Sequence, residues 1–215
     1  MLQTADNTNN EKQPISIDWK TEKFNPGVVN TIEEIIGNKI TKVSSENAII
    51  DFYNNAFGID KLTYTITSRT KNGNKFVKGY IAMEDFISLD RELESIIQMD
   101  SYYKTNQDPN FNNAIDKKGF FEYQGKCNSK ESSDVYSRIF KIMPSRLQNN
   151  VLIVVQNSLA IVDENGGVQP TGTRENLCIP VEYKKLRGMV GKILLHYNAY
   201  LNAVYNGKAK ITFRE

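Results

Sequence analysis

Histidine and cysteine are the scarcest reactive side chains in this 215-residue sequence, with one histidine, His196, and two cysteines, Cys127 and Cys178. A single imidazole cannot build a metal site, and it leaves the commonest acid-base residue type at one position only. The cysteines lie far apart with no Cys-x-x-Cys spacing, so neither a zinc site nor a redox motif is written in them, and nothing supports a disulfide. No run approaches the ~18 apolar residues of a membrane span, and the polar first fourteen residues lack the apolar stretch of a secretory signal. The 24 asparagines include no Asn-x-Ser/Thr acceptor. A dominant sign of charge is missing too, since 27 basic side chains face 25 acidic ones for a net +2. That balance is too even for the positive field of a dedicated duplex-DNA binder, so a nucleic-acid role would need local patches.

What is present is the composition of a folded protein, with 40% hydrophobic and 24% charged residues. Residues 1–14 read as a flexible polar arm, of the kind that orders only against a neighbour, and residues 15–215 as a single α+β domain. The abundance of Asn, Lys, Ile and Tyr is what AT-rich codons produce. No internal repeat is visible.

The expected architecture is a mostly antiparallel sheet of about five or six strands packed with three to four helices, the last of them long and amphipathic. Ile15 to Trp19 alternates like a strand, and Val28 to Ile36 reads as a helix stopped by Gly37. A second helix is expected after a cap at Ser44 or Ser45, with Ile49, Ile50, Phe52, Tyr53, Ala56 and Phe57 on one face. Lys61 to Arg69 and Lys75 to Met83 form a hairpin about Asn72-Gly73. Asp85 to Met99 follows as a helix with Phe86, Leu89, Leu93, Ile96 and Ile97 inward.

Thr105 to Asn113 reads as a polar loop, Gly119 to Cys127 and Val135 to Met143 as strands, and Ser129 to Asp134 as a charged turn. Val151 to Val155 and Leu159 to Val162 are expected to pair across Gln156-Asn157-Ser158. Glu164 to Arg174 reads as a long exposed loop. Val181 to Tyr205 has helical spacing up to a stop at Asn206-Gly207, and Lys208 to Phe213 would add an edge strand.

Motif matches are few and fail on context. Ser68-Arg69-Thr70-Lys71 has the Ser-x-x-Lys spacing of some acyl-transferring enzymes but falls on a strand end, without a Lys-Thr-Gly partner. Gly188 to Lys192 is two residues short of a phosphate-binding loop, and Ile193 replaces the metal-binding hydroxyl. The carboxylate pairs Glu33-Glu34, Glu84-Asp85 and Asp163-Glu164 lack the rhythm of a calcium loop and read as solvated charge. Lys118-Gly119-Phe120-Phe121-Glu122-Tyr123 resembles the start of the aromatic strand of an RNA-recognition motif, with Glu122 where a stacking aromatic is expected.

Two functional classes follow. The first is a non-catalytic structural or assembly subunit, cytoplasmic or in a virion such as a bacteriophage head, neck or tail, which binds copies of itself or other subunits. Its contacts would use Gly166, Gly167, Gly172 and Arg174 in the glycine-rich loop, and Gly188, Gly191 and Ala199 on a small-residue face of the last helix. The second is a single-stranded nucleic-acid binder using Arg69, Lys78, Tyr80, Phe120, Tyr123 and Arg138 on basic and aromatic strands. An enzyme built on scattered carboxylates comes third. No cofactor and no membrane partner is expected.

Overall fold

The computed structural model describes residues 39–70, 73–106, 108–128, 134–165, 167–172 and 174–206. The expected arm, the strand at Ile15 to Trp19, the helix at Val28 to Ile36, the turn residues 129–133 and the closing strand at Lys208 to Phe213 lie outside them. The chain is α+β, with antiparallel strands arranged in two sheets and a long helix following each.

The first sheet takes its strands in sequence order: β1 (Lys39–Ser44), β2 (Ala48–Tyr53), β3 (Lys61–Thr70) and β4 (Gly73–Ala82). A single 3-10 turn, Phe57–Ile59, links β2 to β3. Helix α1 (Met83–Thr105) follows β4 directly, and the short α2 (Pro109–Lys118) comes next. The second sheet holds β5 (Phe121–Asn128), β6 (Val135–Pro144), β7 (Asn150–Val162), β8 (Val168–Pro170) and β9 (Glu175–Glu182), and α3 (Tyr183–Tyr205) closes the described chain. β7 changes neighbours along its length, pairing through Asn157 with β9 and from Ala160 to Val162 with β8.

Four expectations are revised, the first of them within Glu164 to Arg174, expected as loop throughout, where Val168–Pro170 forms β8 against β7. The helix expected after Ser44 is β2: Ala48, Ile50 and Phe52 point to one side and are buried, opposite Ser68, Ile66 and Tyr64 of β3. A run of apolar residues at Ile49, Ile50, Phe52 and Tyr53 satisfies either period, and pairing with β3 decides it. The loop around Asp108-Pro109-Asn110 is the start of α2, where the Asp108 carboxylate accepts hydrogen bonds from the Asn110 and Phe111 amides and Pro109 takes the first turn. Gln156-Asn157-Ser158 is no turn but the middle of β7, kept extended because Gln156 donates to Asn176 at 2.9 Å and Asn157 accepts from Arg138 at 3.2 Å.

The core lies where the inner faces of both sheets meet α1 and α3. Ile50, Phe52, Leu62, Tyr64, Ile66 and Ile81 from the first sheet join Phe140, Ile142, Ile153, Val155 and Ile179 from the second, with Tyr64 and Phe140 ring centroids 5.3 Å apart. Phe86, Leu89, Leu93 and Ile96 of α1 and Leu186, Val190 and Ile193 of α3 complete it. Such side chains each contribute about 1.5–3 kcal/mol on burial.

An architectural repeat appears that the sequence does not announce. Both α1 and α3 have 23 residues. Each begins from an extended residue, Ala82 or Glu182, at the end of a strand. In each case the first helical amide donates to a left-handed residue just before the neighbouring strand: Met83 to the Asp60 carbonyl at 3.0 Å, and Tyr183 to the Asn149 carbonyl at 2.9 Å. Asp60 and Asn149 have φ of 57° and 56°, a conformation that Asp and Asn tolerate better than other side chains.

The two helices are tied by polar contacts as well as packing. Arg187 holds Glu94 with two bonds of 2.7 Å. Asp100, fully buried near the end of α1, accepts from Lys104 at 2.5 Å and from the Tyr183 hydroxyl, and Lys104 also reaches the Leu147 and Asn150 carbonyls. Burial first, then Asp100, pushes the Tyr183 hydroxyl well above its ordinary value. Tyr197, four turns into α3, donates to Asp60 before β3, and burial followed by that carboxylate pushes it up likewise.

Two outcomes follow. Asn149→Gly should leave stability within a few tenths of a kcal/mol in urea unfolding, whereas Asn149→Val should cost about 1–2 kcal/mol for the left-handed backbone. Because the Tyr183 pKa is raised in the folded state, its bond contributes fully below about pH 10 and is lost as pH rises through the folded value. Tyr183→Phe should lose about 1 kcal/mol at neutral pH and show a shallower alkaline loss than the parent, read by denaturation at several pH values.

Candidate functional site

β4 is the outer strand of the first sheet, so its outward amides and carbonyls need partners. The second sheet supplies two of them, at Lys78 and Ala82. The Arg138 guanidinium donates to the Lys78 carbonyl and, through Nε, to Asn157, and it lies 5.8 Å from the Tyr136 ring centroid. Gly125 passes so close that a Cβ there would sit 3.4 Å from the Tyr80 carbonyl oxygen. The Tyr123 hydroxyl hydrogen-bonds with the backbone of Ala82, while burial pushes its pKa up against that bond. Farther out, Lys75 pairs with Glu175 of β9 at 2.5 Å.

Strand register now defines the outer face of the first sheet. Since opposed residues share a face, three rows run across it: Lys39, Tyr53, Thr63, Tyr80; then Lys42, Asp51, Thr65, Lys78; then Ser44, Ile49, Thr67, Phe76. Arg69 and Asn74 follow in the hairpin beyond. The floor is closed, with Thr63, Thr65 and Tyr53 all buried, and burial pushes the Tyr53 hydroxyl up in pKa. Around it stand the exposed Lys42 and Arg69, the half-buried Lys78 and Tyr80, and Phe76, whose ring is 54% exposed. The Lys78 ammonium lies 5.4 Å from the Tyr80 ring centroid. Asp51 is the one acid in these rows, and Lys39 pairs with it at 2.5 Å.

The six residues singled out from the sequence therefore divide. Arg69, Lys78 and Tyr80 share the outer face. Arg138 lies on the inner face of the second sheet, in the row where apolar pairs give way to Gly125, Arg138, Asn157 and Glu175, and its guanidinium holds β4. Tyr123 is half-buried between the sheets, and Phe120 is 8% exposed within the core. The likeness to an RNA-recognition strand ends there, because Gly119 turns with φ of 78° and the strand begins only at Phe121. Phe76, from the same basic and aromatic strand, joins them, and Tyr53, Lys39 and Lys42 do so without having been singled out for binding. Alternation from Thr63 to Arg69 was the available signal for which side they occupy, but it needed the register of β2.

The other candidates occupy separate surfaces. Gly167, Gly172 and Arg174 are exposed around β8, and Gly166 lies outside the described residues. The Asp163 carboxylate accepts from the Asn165 and Gly167 amides, which accounts for one of that turn's carboxylates. Gly188 and Ala199 are exposed on α3 and Gly191 is half-buried, with open space where a Cβ at either glycine would stand. Leu195 on that side is 70% exposed. His196 is exposed on the same helix, and Gly188 to Lys192 lies within that helix and is no phosphate loop. Burial pushes the Cys178 thiol up. Among the described residues no three His, Cys, Asp or Glu side chains gather as a metal site, and no helix is long and apolar enough to cross a membrane.

No family model matches the chain, and no curated protein matches it. Among solved structures it is similar to the plant transcriptional regulator PBF-2, at 11% identity and a TM-score of 0.39, over 77% of this chain and 85% of that one. The chain's own geometry defines its class: an α+β protein whose two antiparallel sheets are each followed by a long helix, with a basic and aromatic outer face on the first sheet.

That face depends on a glycine beneath it. A Cβ at Gly79 would fall inside the phenol of Tyr64, which is 1% exposed and cannot swing away. Gly79→Ala should cost about 1–3 kcal/mol by overpacking, measured by chemical denaturation, and Tyr64→Phe in the same chain should recover part of it.

Proposed function

We propose that this chain is a non-catalytic protein that binds single-stranded nucleic acid on the outer face of its first sheet. The observation that carries the reading is the cross-strand register, which gathers Lys39, Lys42, Lys78 and Arg69 with Tyr80 and Phe76 against a single acid, in a chain whose net charge is only +2. A local excess of cations attracts phosphodiesters, and exposed rings supply stacking surfaces that accept any base. The closed threonine floor favours an extended ligand lying across the walls over a small molecule sinking into a pocket. Arg138 serves the site indirectly, by fixing the backbone of Lys78.

Fluorescence anisotropy with a labelled oligothymidine should give micromolar or tighter binding that weakens as salt rises. Tyr80→Ala and Phe76→Ala should each weaken it about tenfold, as loss of one stacked base does. Lys78→Gln should lower the slope of log affinity against log salt by about 0.7. Duplex bound as tightly as single strand, or affinity indifferent to these changes, would overturn the reading.

The assembly-subunit reading is favoured by a different observation, the open α3 face with Gly188, Gly191 and the 70% exposed Leu195. On this reading the chain joins copies of itself or other subunits, in the cytoplasm or in a virion. Light scattering after size exclusion should then show an oligomer that Leu195→Glu dissociates, and a monomer at every concentration would count against it.

A further inference from the structure

The twin helices α1 and α3 differ in where their charges lie. α1 carries Glu84 and Asp85 in its first turn and Lys104 in its last, the arrangement that complements a helix dipole. α3 has no acid in its first turn, and Lys184, Lys185 and Arg187 crowd its beginning, where positive charge is disfavoured. Arg187 is engaged by Glu94, and Lys185 makes a 3.0 Å pair with the exposed Glu182, which a surface setting renders weak. Lys184 and Lys192 are exposed, and Lys192 stands two turns beyond Lys185 on the same side as Gly188.

That side of α3 borders a groove. Between β1 and α3 lies an open cavity of about 250 Å³, lined by Thr41, Lys42, Val43 and Ser44 on the strand and by Lys185, Gly188 and Met189 on the helix. Lysine ammonium groups and hydroxyls are donors suited to phosphate oxygens, and no acid lines the cavity. The absent side chain at Gly188 leaves the helix backbone open to close approach. Lys42 also belongs to the outer face of the first sheet, so the groove is continuous with it around β1.

We infer that the groove between β1 and α3 is a second phosphodiester subsite, which takes the backbone of the same single strand as it leaves the sheet face. This rests on the nucleic-acid reading above, and it gives the lysines at the start of α3 a role beyond the exposed Lys185–Glu182 pair.

The test combines amide NMR with salt titrations on the full chain. Titration with an oligothymidine long enough to pass the sheet should shift the Gly188 amide, and Lys185→Gln, a change outside the sheet face, should lower the salt slope by about 0.7. Lys184→Gln, off the groove, should lower it less. An unmoved Gly188 amide with an unchanged slope, while Tyr80→Ala still weakens binding, overturns the subsite and leaves the sheet reading standing. A shifted Gly188 amide and reduced slope with no effect of Tyr80→Ala or Lys78→Gln sinks the sheet reading and keeps the groove as a phosphodiester site. A shift produced by inorganic phosphate but not by the oligonucleotide overturns the assignment, as does absence of any oligonucleotide binding.

Discussion

An unpaired strand edge is the constraint on which the rest of this structure turns. β4 pairs with β3 on one side only, so its other row of amides and carbonyls would be stranded between the sheets without partners. Tyr123, Gly125 and Arg138 meet that row at Ala82, Tyr80 and Lys78. The second sheet thus closes the first with side chains and a glycine instead of a strand, and the inner apolar rows of both sheets are brought into contact by the same approach.

The architectural repeat is a matter of backbone, with little trace in side chains. Asp60 and Asn149 do the same thing in both halves, yet the segments around them share no motif, because a left-handed residue before a strand can be met by several small polar side chains. The halves then diverge in what they add: α2 follows the first long helix, and β8 is inserted before the last strand of the second sheet. Their helices lean on each other through Tyr183 with Asp100 and Arg187 with Glu94, while Tyr197 farther along α3 reaches back to Asp60 before β3.

What the sequence revealed follows from how local each signal is. The hairpin of β3 and β4 and the helices at Met83 and Tyr183 rest on period and turn chemistry within the segment, and all were legible. β2 was misread as helix because its burial pattern is decided by strands far along the chain. The middle of β7 looked like a turn because three polar residues in a row resemble one, and only Arg138 and Asn176 across the sheet show that those groups are satisfied in extended form. For the candidate face, residue types were legible and sidedness was not. Arg69, Lys78 and Tyr80 fall together, whereas Phe120 was claimed by the core.

β7 also carries a consequence for how this chain can vary. Its inner stretch is locked between β6 and β9, while its outer end beyond Ser158 has β8 as its neighbour in place of β9. The excursion from Asp163 to Arg174 is therefore a flap sewn to the rim of a strand whose register is settled elsewhere. Length can be gained or lost in that flap without disturbing the hydrophobic rows, which makes it the natural joint for grafting a foreign segment.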